Sequence, residues 1–168
     1  METATNIAVI GDIHGHIPNL ERAMQDIENN KDDIDLIVLN GDYSPYGEHS
    51  VNELMVINNN SLTRVAESGI QTLCIPGSHE PPFFNELSTL VAEKYNNFKT
   101  ALDTGKGYII KVGNIEIELH PGSGVQYGHG HPSINGAFPT NYEFEDLIPG
   151  SNRVLFTHDP PKCETELG

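Results

Sequence analysis

The chain has 168 residues, long enough for a single domain with a real core, and 37% of them are apolar, which separates it from disordered sequences. With 9 Lys and Arg against 24 Asp and Glu the formal charge is −15, which repels phosphate backbones and anionic membranes and speaks against a nucleic-acid scaffold or membrane-surface role. Aliphatic runs such as Ile7–Ile10 and Leu36–Leu39 are too short to span a bilayer, no secretory signal is evident, and two cysteines make no disulfide framework, so the expected setting is reduced and cytoplasmic.

In chain order, Asn6–Ile10 reads as a buried strand that stops at Gly11-Asp12. Leu20, Met24 and Ile27 have helical spacing. Ile34–Leu39 is a second strand, ending at Asn40-Gly41-Asp42, and Val51–Ser68 is helical in pattern, broken or loosened near Asn58-Asn59-Asn60, which reads as a polar loop or helix end. Ile70–Ile75 is a third strand before Pro76-Gly77-Ser78-His79, and Phe84–Tyr95 a further helix. Tyr108–Val112 and Ile115–Leu119 form a hairpin about Gly113-Asn114. Residues Pro121–Thr140 read as loop, Asn141–Ile148 as a helix, and Val154–Thr157 as a last strand before His158. Strand–helix alternation followed by antiparallel signals predicts a layered α/β sandwich.

The informative pattern is where Asp and His fall. Four apolar strands end in ligand-type side chains: Asp12 and His14, Asp42, His79 and His158. Parallel strands would bring these together at one sheet edge, where open α/β sheets bind ligands. Clustered carboxylates and imidazoles call for a divalent metal, and the mixed O/N donors suit Zn, Mn or Fe. Gly11, Gly15, Gly41 and Gly77 flank them and would let the backbone pass close to an ion or phosphate.

Gly11-Asp12-Ile13-His14-Gly15, Gly41-Asp42, Gly77-Ser78-His79-Glu80 and Thr157-His158 stand in this order over nearly the whole chain. In this the sequence resembles the calcineurin-like metallophosphoesterases. The resemblance implies an α/β/β/α sandwich and a phosphomonoesterase or phosphodiesterase with two divalent ions (Mn, Fe, Zn or Ni) and a small phosphorylated substrate. Asp42 would bridge the ions, Asp12 and His14 would serve the first, and His158 the second. Two such ions acidify a water, clamp phosphate oxygens and stabilise in-line displacement. His79 would act on the leaving oxygen rather than on metal, and Glu80 would orient His79 or cap the next helix.

The sequence departs from the family pattern in several places. Ser78 stands where the family has a ligating Asn, so the second ion should be held more weakly or through water. The first block is similar to the protein serine/threonine phosphatases, but Pro45-Tyr46 stands where that branch has a phosphate-holding Asp-Arg pair. The family's Gly-His-x-His does not follow His158, which suggests an incomplete C-terminal part and an exposed sheet edge open to oligomerisation. Gly128-His129-Gly130-His131 matches that string but comes before His158, so it reads as a rim loop, with a ligand pair as the alternative. His120 ends a strand and could approach the site, whereas His16 and His49 read as surface. Tyr43 and Tyr46 either pack or stack on a substrate ring. The competing function is a catalytically impaired module of the same fold holding one metal or none.

Overall fold

The computed structural model describes residues 4–77, 79–81, 83–101, 108–120 and 152–158, with backbone alone at 108 and 120. Strands β1 (Ile7–Ile10), β2 (Leu36–Asn40), β3 (Thr72–Ile75) and β4 (Phe98–Thr100) form a parallel sheet in the order β1-β2-β3-β4. Helices α1 (Ile17–Asn29), α2 (Val51–Ala66) and α3 (Phe84–Lys94) make the crossovers. Strand order follows chain order, so crossovers of one hand place every helix on one face. Leu20 and Met24 of α1, Leu62 and Val65 of α2, and Phe84 and Val91 of α3 pack there with Ile37, Leu39 and Cys74 of the sheet.

Residues one step along each strand point the opposite way. Leu36, Val38, Leu73 and Ile75 pack on Val112, Ile117 and Leu119 of a second sheet. That sheet holds β5 (Tyr108–Val112), β6 (Ile115–His120) and β7 (Arg153–Thr157), with β5 antiparallel and β7 parallel to β6. The described layers are therefore helices, parallel sheet and second sheet, as the layered α/β reading expects. A fully buried Leu, Ile, Val or Met in such layers contributes about 1.5–3 kcal/mol, and Met24, Leu36, Ile37, Leu62 and Ile117 are all fully buried.

Local signals account for the helix starts. Ser50 caps α2 in a capping box: its Oγ accepts from Glu53 N–H at 3.3 Å while Ser50 N–H donates to Glu53 Oε2 at 2.8 Å. His16, exposed as expected, caps α1 by accepting from Asn19 N–H at 3.2 Å.

Three expectations are corrected. Helix α2 runs unbroken through Asn58–Asn60, because Asn58 is buried and bonded to Ser44 (Nδ2 to Oγ 2.9 Å) and to its own helix (Nδ2 to Leu54 O 2.8 Å), while Asn59 and Asn60 are exposed. The short strand β4 has no counterpart in the sequence reading; it is held by parallel pairing with β3. Strand β7 lies in the second sheet, so His158 reaches the site from a different layer than Asp12, Asp42 and His79. Asn141–Ile148 and the loop Pro121–Thr140 lie outside the described residues, and no helix among those described is long and apolar enough to cross a membrane.

Cys74 is buried and free, and burial pushes its thiol up to about 12 even though its Sγ lies 3.5 Å from the Tyr43 hydroxyl. The thiolate is the reactive form. Iodoacetamide at pH 8 should therefore leave Cys74 unmodified in the folded protein and alkylate it once the chain is unfolded in denaturant, as read by peptide mass mapping.

Candidate metal centre

The loops that follow β1 and β2 continue to pair beyond the strands. Asp12 N–H donates to Gly41 O at 3.1 Å, His14 N–H to Asp42 O at 2.9 Å and Gly15 N–H to Tyr43 O at 2.8 Å. This pairing holds Asp12, His14 and Asp42 at φ of 52°, 44° and 56°. Left-handed backbone at non-glycine residues costs on the order of 1 kcal/mol each and persists only where surroundings impose it. Asp tolerates this region better than most residues.

Asp42 is nearly buried, with 6% of its side chain exposed, and three imidazoles converge on its Oδ2. The Nε2 atoms of His158, His14 and His79 lie 3.3, 3.7 and 4.0 Å from it. His14 Nε2 is also 3.6 Å from Oδ1 of Asp12, whose side chain is 74% exposed at the mouth of the site. The other carboxyl oxygen, Oδ1 of Asp42, accepts from His79 N–H at 2.9 Å.

The ring tautomers follow from the opposite nitrogens. His158 Nδ1 lies 2.7 Å from Asn40 O and His14 Nδ1 3.3 Å from Ser44 O. A carbonyl only accepts, so each Nδ1 carries a hydrogen and each neutral Nε2 turns a lone pair toward a carboxylate. Such a pair is repulsive unless a proton or a cation sits between them, and it is the arrangement that metal-ligating histidines use. Ligand atoms sharing one ion at bonds of about 2.1 Å stand roughly 3.0–3.6 Å apart, close to these spacings. Asp12, His14 and Asp42 each offer one ligand atom, and those atoms lie within 4.8 Å of one another. The donor set therefore fits a divalent ion.

At His158, without an ion, a proton takes its place. Burial opposes charge on His158, but the Asp42 carboxylate and the Asn40 carbonyl outweigh it and raise the ring to about 9. Burial likewise opposes charge on Asp42, and bonding to His158 and to the His79 N–H holds its carboxyl down at about 2.

Glu80 is fully buried and holds main-chain N–H groups of two loops. Its carboxylate accepts from Tyr43 N–H at 2.7 Å, from Asp42 N–H at 3.4 Å and from Gly77 N–H. It thus ties the loop after β3 to the loop after β2. Burial and the Asp42 charge push it up to about 7, against the pull of those N–H groups. Two glycines allow this closeness. A Cβ on Gly77 would stand 2.5 Å from Asp42 Oδ1, and one on Gly41 would stand 2.6 Å from His158 Nδ1 and 2.7 Å from Gly77 Cα. Asn40 closes the gap between sheets, its Nδ2 donating to Thr157 O at 3.1 Å. Sequence reasoning missed the amide cage of Glu80 and the part played by Asn40; the local signal for Glu80 was a charge in a short turn between Pro76 and Pro81.

Asp12, His14, Asp42, His79 and His158 are thus brought together. Tyr43 is not at the site surface: it is fully buried, stacks on Phe84 (centroids 5.3 Å) and donates its hydroxyl hydrogen to Ile75 O at 2.6 Å while accepting from Gly41 N–H at 2.8 Å. It supports the loop and cannot meet substrate. His49 is partly buried, with Nε2 3.0 Å from Tyr46 O. Ser78, His129, His131 and the His120 side chain lie outside the described residues.

The family model for calcineurin-like phosphoesterases matches residues 5–166, so the chain belongs to that family. A search of curated proteins finds no match. One crystal structure aligns at 15% identity and TM-score 0.63 over 94% of this chain and 70% of its own. The crystal structure of TT1561 of Thermus thermophilus aligns at 13% identity and TM-score 0.58 over 80% of this chain and 57% of its own. This chain thus spans little more than half the length of the latter, and at these identities both likenesses speak for the fold alone.

Replacing Glu80 by Gln keeps its size but turns one acceptor into an NH2 facing backbone N–H groups. An unmet buried donor costs about 1–3 kcal/mol. Glu80→Gln should therefore lower the unfolding free energy by about that amount in urea titrations.

Proposed function

We propose that the chain is a metal-dependent phosphoesterase that hydrolyses a small phosphomonoester or phosphodiester. The observation that carries this reading is the convergence of the His14, His79 and His158 Nε2 atoms on one oxygen of Asp42. Family membership supports the same class of reaction.

In this reading Asp42 would help hold two divalent ions, Asp12 and His14 would hold the first, and His158 would hold the second. Ser78 would be a weak, shorter-reaching companion to His158. Such ions, when bound, supply the positive charge that activates water and stabilises in-line displacement at phosphorus. The protein contributes orientation. The Asn40 and Ser44 carbonyls fix which nitrogen of His158 and His14 faces inward. The His79 main chain holds Asp42 Oδ1, so the carboxylate cannot turn. The His79 ring, set at 84° to the His14 ring with centroids 5.2 Å apart, takes no metal role and hands a proton to the leaving oxygen. Most of this ring is shielded from solvent, with 12% of the side chain exposed, which favours transfer to substrate over bulk water.

The test uses bis(p-nitrophenyl) phosphate and p-nitrophenyl phosphate with the purified chain and elemental analysis. Chelation should abolish hydrolysis and Mn or Zn should restore it. Asp42→Asn should lose both metal and turnover. His79→Asn should keep its metal and lose about 10²–10⁴ in kcat. Undiminished turnover in Asp42→Asn would overturn the proposal.

A further inference from the structure

The loop after β2 carries Tyr46 out over the site. The residue is 56% exposed, yet its ring stacks on His14, with centroids 3.9 Å apart and planes 23° apart, and meets the His79 ring at 4.8 Å and 77°. An exposed aromatic is unremarkable by itself; one that touches both site imidazoles is in reach of whatever they act on.

The loop presenting it is pinned at several points. Gly15 N–H holds Tyr43 O, His14 Nδ1 holds Ser44 O, and Ser44 Oγ bonds to Asn58 of α2. Pro45 lies so close to Gly15 that a Cβ there would stand 2.9 Å from Pro45 Cβ. A surface already ordered loses little entropy when a ligand settles on it. Among the described cations, Lys31 donates to Ser68 O, Arg64 to Glu21 and Glu28, and Arg153 to Glu116, all away from the site. Next to His79 the site wall includes the Tyr46 ring.

We infer that Tyr46 is a specificity-determining residue that selects phosphoesters carrying a flat ring on or beside the leaving oxygen. This rests on the phosphoesterase reading above. His79 faces the leaving oxygen in that reading, so the group bonded to that oxygen lies alongside Tyr46. One face of Tyr46 is taken by His14 and His79 lies toward its edge, so a ligand ring meets that edge or the outer face. Edge-to-face and offset-stacked pairs are both favourable for any flat π system, and an aryl ester and a nucleotide share the required chemistry. A small polyol has no face to stack.

The experiment compares kcat/KM for phenyl phosphate, adenosine monophosphate and glycerol 2-phosphate in the Zn-loaded wild type, Tyr46→Phe and Tyr46→Ala. Calorimetric Kd values for phenylphosphonate and methylphosphonate, which are not hydrolysed, give a second readout. The wild type should prefer at least one ring-bearing ester over glycerol 2-phosphate, and the two ring-bearing arms tell an aryl preference from a nucleotide one. Tyr46→Ala should cut that preference, and the phenyl-over-methyl binding ratio, about tenfold, while Tyr46→Phe retains both. An unchanged ratio in Tyr46→Ala overturns the inference alone. So does an equal fall for all esters accompanied by lost metal, which would make Tyr46 a support for His14. No turnover of any ester by metal-loaded wild type overturns the phosphoesterase reading, and this inference with it.

Discussion

The carboxylate of Glu80 takes hydrogen bonds from the N–H groups of Asp42, Tyr43 and Gly77, and through them one buried side chain sets the separation of two loops. A buried charge is costly unless its lone pairs are met, and here the partners are main-chain groups from two strand ends. The strained backbone at Asp12, His14 and Asp42 persists because this cage and the extended β1–β2 pairing leave those residues no room to relax. Pocket geometry is thus imposed by buried, non-reacting groups, and the groups that face the pocket inherit it.

The electrostatics follow from the same frame. Asp42 is held ionised and His158 is held ready to carry charge, both in a setting mostly closed to water. Water elsewhere would screen these groups; here, fixed dipoles from the Asn40 carbonyl at His158 and the His79 N–H at Asp42 take its place. An overall charge of −15 adds a long-range field that draws cations toward the surface.

Much of this was legible in the chain. Runs such as Ile7–Ile10 and Leu36–Leu39, each followed by a Gly-Asp turn, announce parallel strands with acids at their carboxyl ends, and the structure has both. The expected burial holds for Leu36–Leu39 but not for Ile7–Ile10, which lies at the sheet edge with Val9 53% exposed. Asn58 misled because a polar residue mid-helix reads as a weakness, whereas Ser44, 14 positions away, meets its amide. Phe98–Thr100 carries too little pattern to be seen, since its strand exists through its neighbour. Val154–Thr157 reads as a strand in either sheet; packing, not local sequence, decides which. Glu80 was the hardest: a charge beside a histidine looks solvated until tertiary contacts from Tyr43 and Gly77 surround it.

The contact between Gly41 and Gly77 is main chain against main chain, with His158 wedged over it. Pocket width at that level is therefore a property of peptide groups, which mutation cannot resize in small steps. Any widening or narrowing there comes as a break, not as a gradual change. Gradual variation is left to side chains of the outer tier, such as the exposed Tyr46.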